Sequence, residues 1–222
     1  MRMKFTFLSK AFMAFVRITG LIPYALCFKT KVHCANGNRA LRHPKGSAII
    51  ISNHTSVFDY AVLLFTYPLR YIRCQIAELM FRKPVIGPFL RAMGGIYVNR
   101  DSFDFSFVEE SLEILDNGGV VAVFPESRIP LAGEALPLPF KQSPTLIAAR
   151  SRAPIYLMYT DGCYFKKKRA HVLLDGPVYV QDFWDDTKSE KENLASVTEL
   201  LRKKIAEMGQ ELESLKAKKK EK

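Results

Sequence analysis

A histidine and an aspartate five residues apart open the question of chemistry. In Ala48-Ile49-Ile50-Ile51-Ser52-Asn53-His54-Thr55-Ser56-Val57-Phe58-Asp59 an apolar run gives out just before the histidine, and Asp59 is the first acidic residue of the chain. An imidazole with a carboxylate on one ring nitrogen keeps the other free to take a proton from a hydroxyl. His54 and Asp59 therefore read as a general base and its orienting partner. A second reading uses the same residues. Ser56 and Asp59 have the spacing of a capping box, as N-cap and N3 of a helix over 57–66.

Two further apolar runs end in charge. Gly95-Ile96-Tyr97-Val98-Asn99-Arg100 reads as a short strand that delivers an arginine at its exit. Val120-Val121-Ala122-Val123-Phe124-Pro125-Glu126-Ser127-Arg128 reads as a buried strand stopped by proline, with a carboxylate and a guanidinium beyond it. Ligands of open α/β sheets gather past the carboxyl ends of strands. Guanidinium groups suit bidentate capture of phosphate, so Arg100 and Arg128 are candidate anion ligands. Taken singly, each arginine could equally be a surface ion pair.

The elements that must position these groups follow from periodicity and turn signals. Strands are predicted at 31–36, 47–52, 70–77, 95–100, 120–125, 153–159, 171–175 and 177–180. Helices are predicted at 57–66, 84–93, 105–117, 143–150 and from 189 onward, the last opened by a Ser189–Glu192 capping box. Alternation of strand and helix predicts an α/β fold with a mixed, largely parallel sheet flanked by helices. Residues 189–222 form a C-terminal helix with a basic tail, and 30–188 form the α/β domain.

Residues 1–29 read differently. They mix aromatic and cationic residues, and the longest uncharged stretch, 18–28, is eleven residues interrupted by Gly20 and Pro23. A spanning helix needs about 20 apolar residues. The expectation is one or two short helices lying in a membrane interface, apolar side down. No small-residue cleavage site follows them, as a signal peptide requires.

Charge is placed unevenly within a net +11. Residues 1–58 carry Arg2, Lys4, Lys10, Arg17, Lys29, Lys31, Arg39, Arg42 and Lys45 and no acid, and 216–222 add +4. Such a basic start suits anionic lipid head groups or nucleic acid. A hydrophobic content of 48% excludes a disordered chain. The four cysteines form no Cys-x-x-Cys pair, which argues against a zinc site and a disulfide framework and favours reduced cytosolic thiols. There is no Walker-type glycine loop and no Gly-x-Gly-x-x-Gly.

Four blocks in order resemble the glycerolipid acyltransferases, in particular the 1-acyl-glycerol-3-phosphate (lysophosphatidic acid) acyltransferase branch. Asn53-His54 with Asp59 resembles the Asn-His-x4-Asp block, and Gly95 through Arg100 resembles the second. Phe124-Pro125-Glu126-Ser127-Arg128 is similar to the third, and Ala153-Pro154-Ile155-Tyr156 to the fourth. The resemblance spans residues 30–180. Ser127 stands where the family has glycine, and Phe140-Lys141-Gln142-Ser143 resembles a downstream Phe-Lys-x-Gly, again with serine replacing glycine.

The resemblance implies transfer of a fatty acyl group from acyl-CoA or acyl carrier protein to the free sn-2 hydroxyl of 1-acyl-glycerol-3-phosphate, giving phosphatidic acid for phospholipid synthesis. His54 is then the base and Asp59 its partner. Asn53, Gly95, Arg100, Glu126, Ser127, Arg128 and Lys141 fall on the acceptor side, and Pro154 lines the acyl or thioester side. A thioester is already activated, so no metal or cofactor is implied. The expected setting is the cytoplasmic face of the cell membrane, on anionic lipid. Other readings are the same chemistry on another lysolipid or amino-acid lipid, or a non-catalytic protein of anionic membranes. Nucleic-acid binding is disfavoured despite a pI of about 9.5, because no recognition helix or RNA-binding motif is present.

Overall fold

The computed structural model describes residues 7–99, 104–166 and 168–218. Its strands are β1 Lys31–Cys34, β2 Ala48–Ser52, β3 Ile72–Ala77, β4 Ile96–Val98, β5 Val120–Val123, β6 Ile155–Thr160 and β7 His171–Val178. Its α-helices are α1 Phe7–Cys27, α2 Asp59–Thr66, α3 Glu78–Phe81, α4 Ile86–Ala92, α5 Ser106–Asp116, α6 Ser143–Ser151 and α7 Glu190–Ala217. The strands form one sheet in the order β1-β7-β6-β2-β5-β3-β4. Only β6 and β7 pair antiparallel, so the sheet is mixed and largely parallel, as expected.

The position of β2 explains its sequence. It lies between β5 and β6, and all five of its residues are buried. A central strand covered on both faces has no polar side, hence an unbroken apolar run. Ile49 and Ile51 enter the core beneath α5, α6 and α7, whereas Ala48 and Ile50 enter the core that holds Val62 and Leu63 of α2. Because β2, β5, β6, β3 and β4 share a direction, the segments that follow them emerge along one edge. At the other edge the Arg70 guanidinium donates to the carbonyls of Pro44, Gly46 and Gly118, tying the incoming loops together.

Helix α7 follows its sequence closely. Ser189 and Glu192 form the reciprocal capping box, and Leu194, Val197, Leu201, Ile205, Met208 and Leu212 are buried along one face. Elsewhere the elements differ in detail. Residues 171–178 make one strand rather than two. Ser143 is the first helical residue of α6 rather than its cap, with Gln142 at the N-cap.

The larger correction concerns the N-terminus. Residues 7–27 form one continuous helix of 21 residues through Gly20 and Pro23, rather than one or two short ones. Tertiary packing overrides the breakers. Gly20 lets α1 approach Phe65, Tyr24 stacks on Phe65 at 4.2 Å, and Phe12 meets Phe89 edge-on at 5.9 Å. The Arg17 guanidinium donates to the carbonyls of Tyr67 and Arg70. At about 1.5 Å per residue a helix of this length is roughly 30 Å long. By length and composition α1 could therefore cross a bilayer.

Candidate active site

Where β2 ends, Asn53 stitches the outgoing chain to β6. Its Nδ2 donates to the Thr160 carbonyl at 2.9 Å and its Oδ1 accepts from Thr160 N–H at 2.8 Å. Both ends of this buried amide are thereby used, so Asn53 positions the backbone. His54 follows at once, and its backbone N–H donates to Glu126 Oε1 at 2.9 Å. The imidazole stacks on Phe124, with ring centroids 4.6 Å apart, and Nδ1 lies 2.9 Å from Asp59 Oδ2.

Asp59 is fully buried and saturated with donors. Oδ2 receives the N–H groups of Thr55 and Ser56 at 2.6 and 2.8 Å besides His54, while Oδ1 receives the hydroxyls of Thr55 and Tyr164 at 2.9 and 2.7 Å. The two sequence readings are therefore one structure. The Asp59–Ser56 N–H bond is half of the capping box. The other half is missing, because the Ser56 hydroxyl accepts from Phe58 N–H and α2 starts at Asp59 rather than at 57. One carboxylate both opens the helix and grips the imidazole. With Nδ1–H directed at it, Nε2 is the basic nitrogen.

Thr55, Thr160 and Tyr164 were not singled out from the sequence. Thr55 had a local signal, since a hydroxyl between His54 and Asp59 is well placed to bond the carboxylate. Tyr164 had none, arriving from a loop 105 residues away and anchored by a 2.7 Å contact with the Thr160 hydroxyl.

Glu126 stands between two clefts. Its Oε2 accepts from Leu138 N–H at 2.9 Å, so the carboxylate clamps the loop after β5 to the residue that carries the imidazole. Burial pushes its pKa up, and the two backbone donors oppose that. On one side lies a cleft of about 640 Å³ reached by Asn99, Ser127, Arg128 and Lys141. On the other lies a cleft of about 570 Å³ that His54 lines together with Tyr159 and residues of α7.

The remaining expected site residues divide. Lys141 is exposed in the first cleft, its backbone N–H fixed to the Pro125 carbonyl. Arg128 reaches that cleft but is held bidentately by Glu134 at 2.7 and 2.6 Å. Ser127 takes φ +64°, the left-handed conformation that favours glycine, so the serine pays in strain to keep the turn. Arg100 lies outside the described residues.

Two expectations need correction. Gly95 is buried at the entry of β4, where a Cβ would meet Ile76, Leu90 and Phe81 at 3.1–3.2 Å; it permits close packing and lines neither cleft. Pro154 precedes β6, whereas the site forms past the strand's other end. Five residues at about 3.3 Å each put it roughly 17 Å from Tyr159 along the strand. A motif in sequence does not say which end of a strand it marks.

The chain is similar in sequence and in fold to known proteins. Residues 31–160 match the model of the Acyltransferase family. The 1-acyl-sn-glycerol-3-phosphate acyltransferase of Bacillus subtilis (strain 168) is 26% identical over 181 residues, which cover 78% of this chain and 86% of that protein. The crystal structure of the 1-acyl-sn-glycerophosphate (LPA) acyltransferase PlsC from Thermotoga maritima shares the fold. It has a TM-score of 0.62 over 90% of this chain and 79% of that one, at 20% identity. A family match over more than half the chain and a shared fold lead to one conclusion: this chain belongs to the acyltransferase family.

Proposed function

We propose that the chain transfers a fatty acyl group from an acyl thioester to the free sn-2 hydroxyl of 1-acyl-glycerol-3-phosphate, yielding phosphatidic acid and a thiol. The observation that carries the reading is the His54–Asp59 contact of 2.9 Å beside a cleft that presents Lys141 and Arg128. Glu126, which holds the His54 backbone, also lines that cleft, so an acceptor with both a hydroxyl and a phosphate fits across the two. The name of the Bacillus subtilis relative supports the choice of acceptor.

In this reaction His54 Nε2 takes the hydroxyl proton as the acceptor oxygen bonds to the thioester carbonyl carbon. The carbonyl π electrons move onto oxygen. Asp59 steadies the imidazolium through Nδ1–H. When the tetrahedral intermediate collapses, the C–S bond breaks and the departing sulfur recovers the proton from Nε2. A positioned base contributes about 10²–10⁴-fold. Lys141, with Arg100 and Arg128 by resemblance, holds the phosphate. The donor is acyl-CoA or acyl carrier protein.

The same reading sets the chain on a membrane. Leu8, Phe15, Ile18, Ile22 and Leu26 form an exposed apolar stripe on α1, opposite the face that buries Met13. A stripe of this kind marks an interaction surface, and lipid suits it because Lys29, Lys166, Lys168 and Arg169 are exposed nearby in sequence or across the 27–170 backbone contacts. The test is acceptor-dependent thiol release from palmitoyl-CoA and palmitoyl-carrier protein, wild type beside His54→Ala. Release that requires the acceptor and falls by about 10³-fold in the variant supports the reading. Equal release without acceptor, or an active variant, refutes it.

A further inference from the structure

Besides the stripe of α1, apolar side chains are exposed on the loops around the base. Val57 and Phe58 stand out from the segment between His54 and Asp59, and Phe165 from the loop between β6 and β7. The Phe58 and Phe165 rings meet edge-on at 4.7 Å, and Phe165 packs on Phe28 at 4.9 Å. We propose that this aromatic tip enters an anionic bilayer, and that its insertion raises turnover by steadying the loops that hold Asp59. The proposal rests on the membrane reading above and adds regulation to it: lipid activates the site as well as recruiting the chain.

Three observations point to lipid as the occupant. Phe165 has φ +58°, a left-handed conformation that a bulky side chain adopts only at a cost. Strain of this kind persists at sites where it serves a function, and here it is spent on a ring left in water. Charge is complementary as well. Lys166 follows Phe165 and Lys29 follows Phe28, and both are exposed, as are Lys168 and Arg169. Aromatic rings flanked by cations suit the head-group boundary of an anionic membrane. The tip also continues the α1 stripe, because Phe165 N–H donates to the Cys27 carbonyl at 3.1 Å, next to exposed Leu26.

The route from this tip to the base is short. Phe28 is buried against Tyr164 at 5.2 Å and against Phe58 at 6.1 Å, besides Phe165. Tyr164 donates to Asp59 Oδ1 at 2.7 Å, and Phe58 directly precedes Asp59 in the chain. Both loops that hold the carboxylate therefore share one cluster of four rings, of which Phe58 and Phe165 face out. In water the outer two are packed on one side only. In lipid they are covered all round, which restrains Tyr164 and Asp59 relative to the imidazole. Phe58 and Phe165 are thus positioning residues that act through Asp59.

The experiment follows thiol release from octanoyl-CoA with the water-soluble acceptor 1-butanoyl-glycerol-3-phosphate, with and without acceptor-free phosphatidylglycerol vesicles. Vesicles should raise the wild-type kcat about three- to tenfold and leave the acceptor KM unchanged. Phe165→Asn suits the left-handed backbone, so it should keep the vesicle-free rate and the melting temperature yet lose most of that gain. It should still sediment with vesicles through α1. Phe165→Trp should restore the gain, and its added indole should be quenched by vesicles brominated in their acyl chains. Sedimentation without that quenching overturns the tip and spares the α1 reading, whereas no sedimentation refutes both. A full gain in Phe165→Asn also overturns the proposal. So does a variant that raises the KM of acyl carrier protein alone, which gives the tip to that protein. A wild type inactive with every donor refutes the acyl-transfer reading and the activation with it, while quenching, which needs no turnover, still decides insertion.

Discussion

Tyr164 donates its hydroxyl to Asp59 Oδ1 at 2.7 Å, on the carboxylate oxygen that does not hold His54. Burial, and then the neighbouring Asp59, push the phenol's pKa well up, so the group stays a donor wherever the enzyme is assayed. Drawing charge toward Oδ1 leaves less on Oδ2, which faces the imidazole. Tyr164→Phe removes that donor and leaves Oδ1 with the Thr55 hydroxyl alone, so the carboxylate is held less firmly against the imidazole. kcat should fall severalfold with the acceptor KM unchanged. An unchanged kcat would reduce Tyr164 to packing.

Gly162 guards the other donor to Oδ1. It has φ +64°, and a Cβ there would lie 2.7 Å from the Thr55 hydroxyl oxygen. Gly162→Ala should displace Thr55 from Asp59 and cost about 1–2 kcal/mol of stability through the left-handed backbone. Thr55→Val removes the same hydroxyl without that strain. If the bond matters, both variants lose kcat while only Gly162→Ala lowers Tm by several degrees. A glycine variant that melts early but turns over normally would contradict this.

The Arg128–Glu134 pair competes with any phosphate for the guanidinium. Hydrogen bonding to Arg128 holds Glu134 down to about 2. Its folded pKa is depressed, so the pair's contribution is complete above the ordinary carboxylate range and is lost only as pH falls through about 2. A phosphate that is to use Arg128 at working pH must therefore displace Glu134. Glu134→Gln should lower the acceptor KM about two- to fivefold, in line with the modest worth of an exposed pair, and Arg128→Ala should raise it. If neither KM moves, Arg128 belongs to its loop and not to the acceptor.

Much of this site was legible because it is local. His54 and Asp59 are five residues apart, and the isoleucines before them announce a strand covered on both faces. Charged residues after apolar runs located the edge of the sheet without any strand order. What stayed hidden depends on distant partners. No periodicity tells that β7 slips between β1 and β6, or that Tyr164 crosses to Asp59. Pro23 and Gly20 argued correctly for weak intrinsic helicity in α1, but contacts with Phe65 and Phe89 outweigh it. Resemblance alone assigns Pro154 to the acyl or thioester side, and it lies at the entry of β6, away from the end where His54 stands.

Glu126 tests whether a clamp can govern catalysis without touching the reacting atoms. Its two oxygens accept from His54 N–H and Leu138 N–H at 2.9 Å each, and an amide can satisfy only one of these. Glu126→Gln should loosen either the imidazole-bearing residue or the loop that walls both clefts. About tenfold should be lost from kcat. Which KM rises with it then identifies the loosened wall.

The exposed stripe of α1 makes the last prediction separable from catalysis. Ile18 and Ile22 are 76% and 71% exposed, so Ile18→Asp with Ile22→Asp should leave the fold and Tm nearly unchanged. Each isoleucine moved from water into lipid is worth about 1.5–3 kcal/mol, so the pair should account for on the order of a hundredfold or more in vesicle binding. Binding to vesicles with anionic lipid should also weaken with salt, because the cations near the stripe act through screened charge. Thiol release with a short-chain, water-soluble acceptor should survive the double substitution, whereas release with acceptor embedded in vesicles should not. Met13 provides the contrast: it is fully buried between α1 and the domain, so Met13→Asp should lower Tm and both activities together. If the outward pair behaves like Met13, the stripe serves folding and α1 is not a lipid-facing surface.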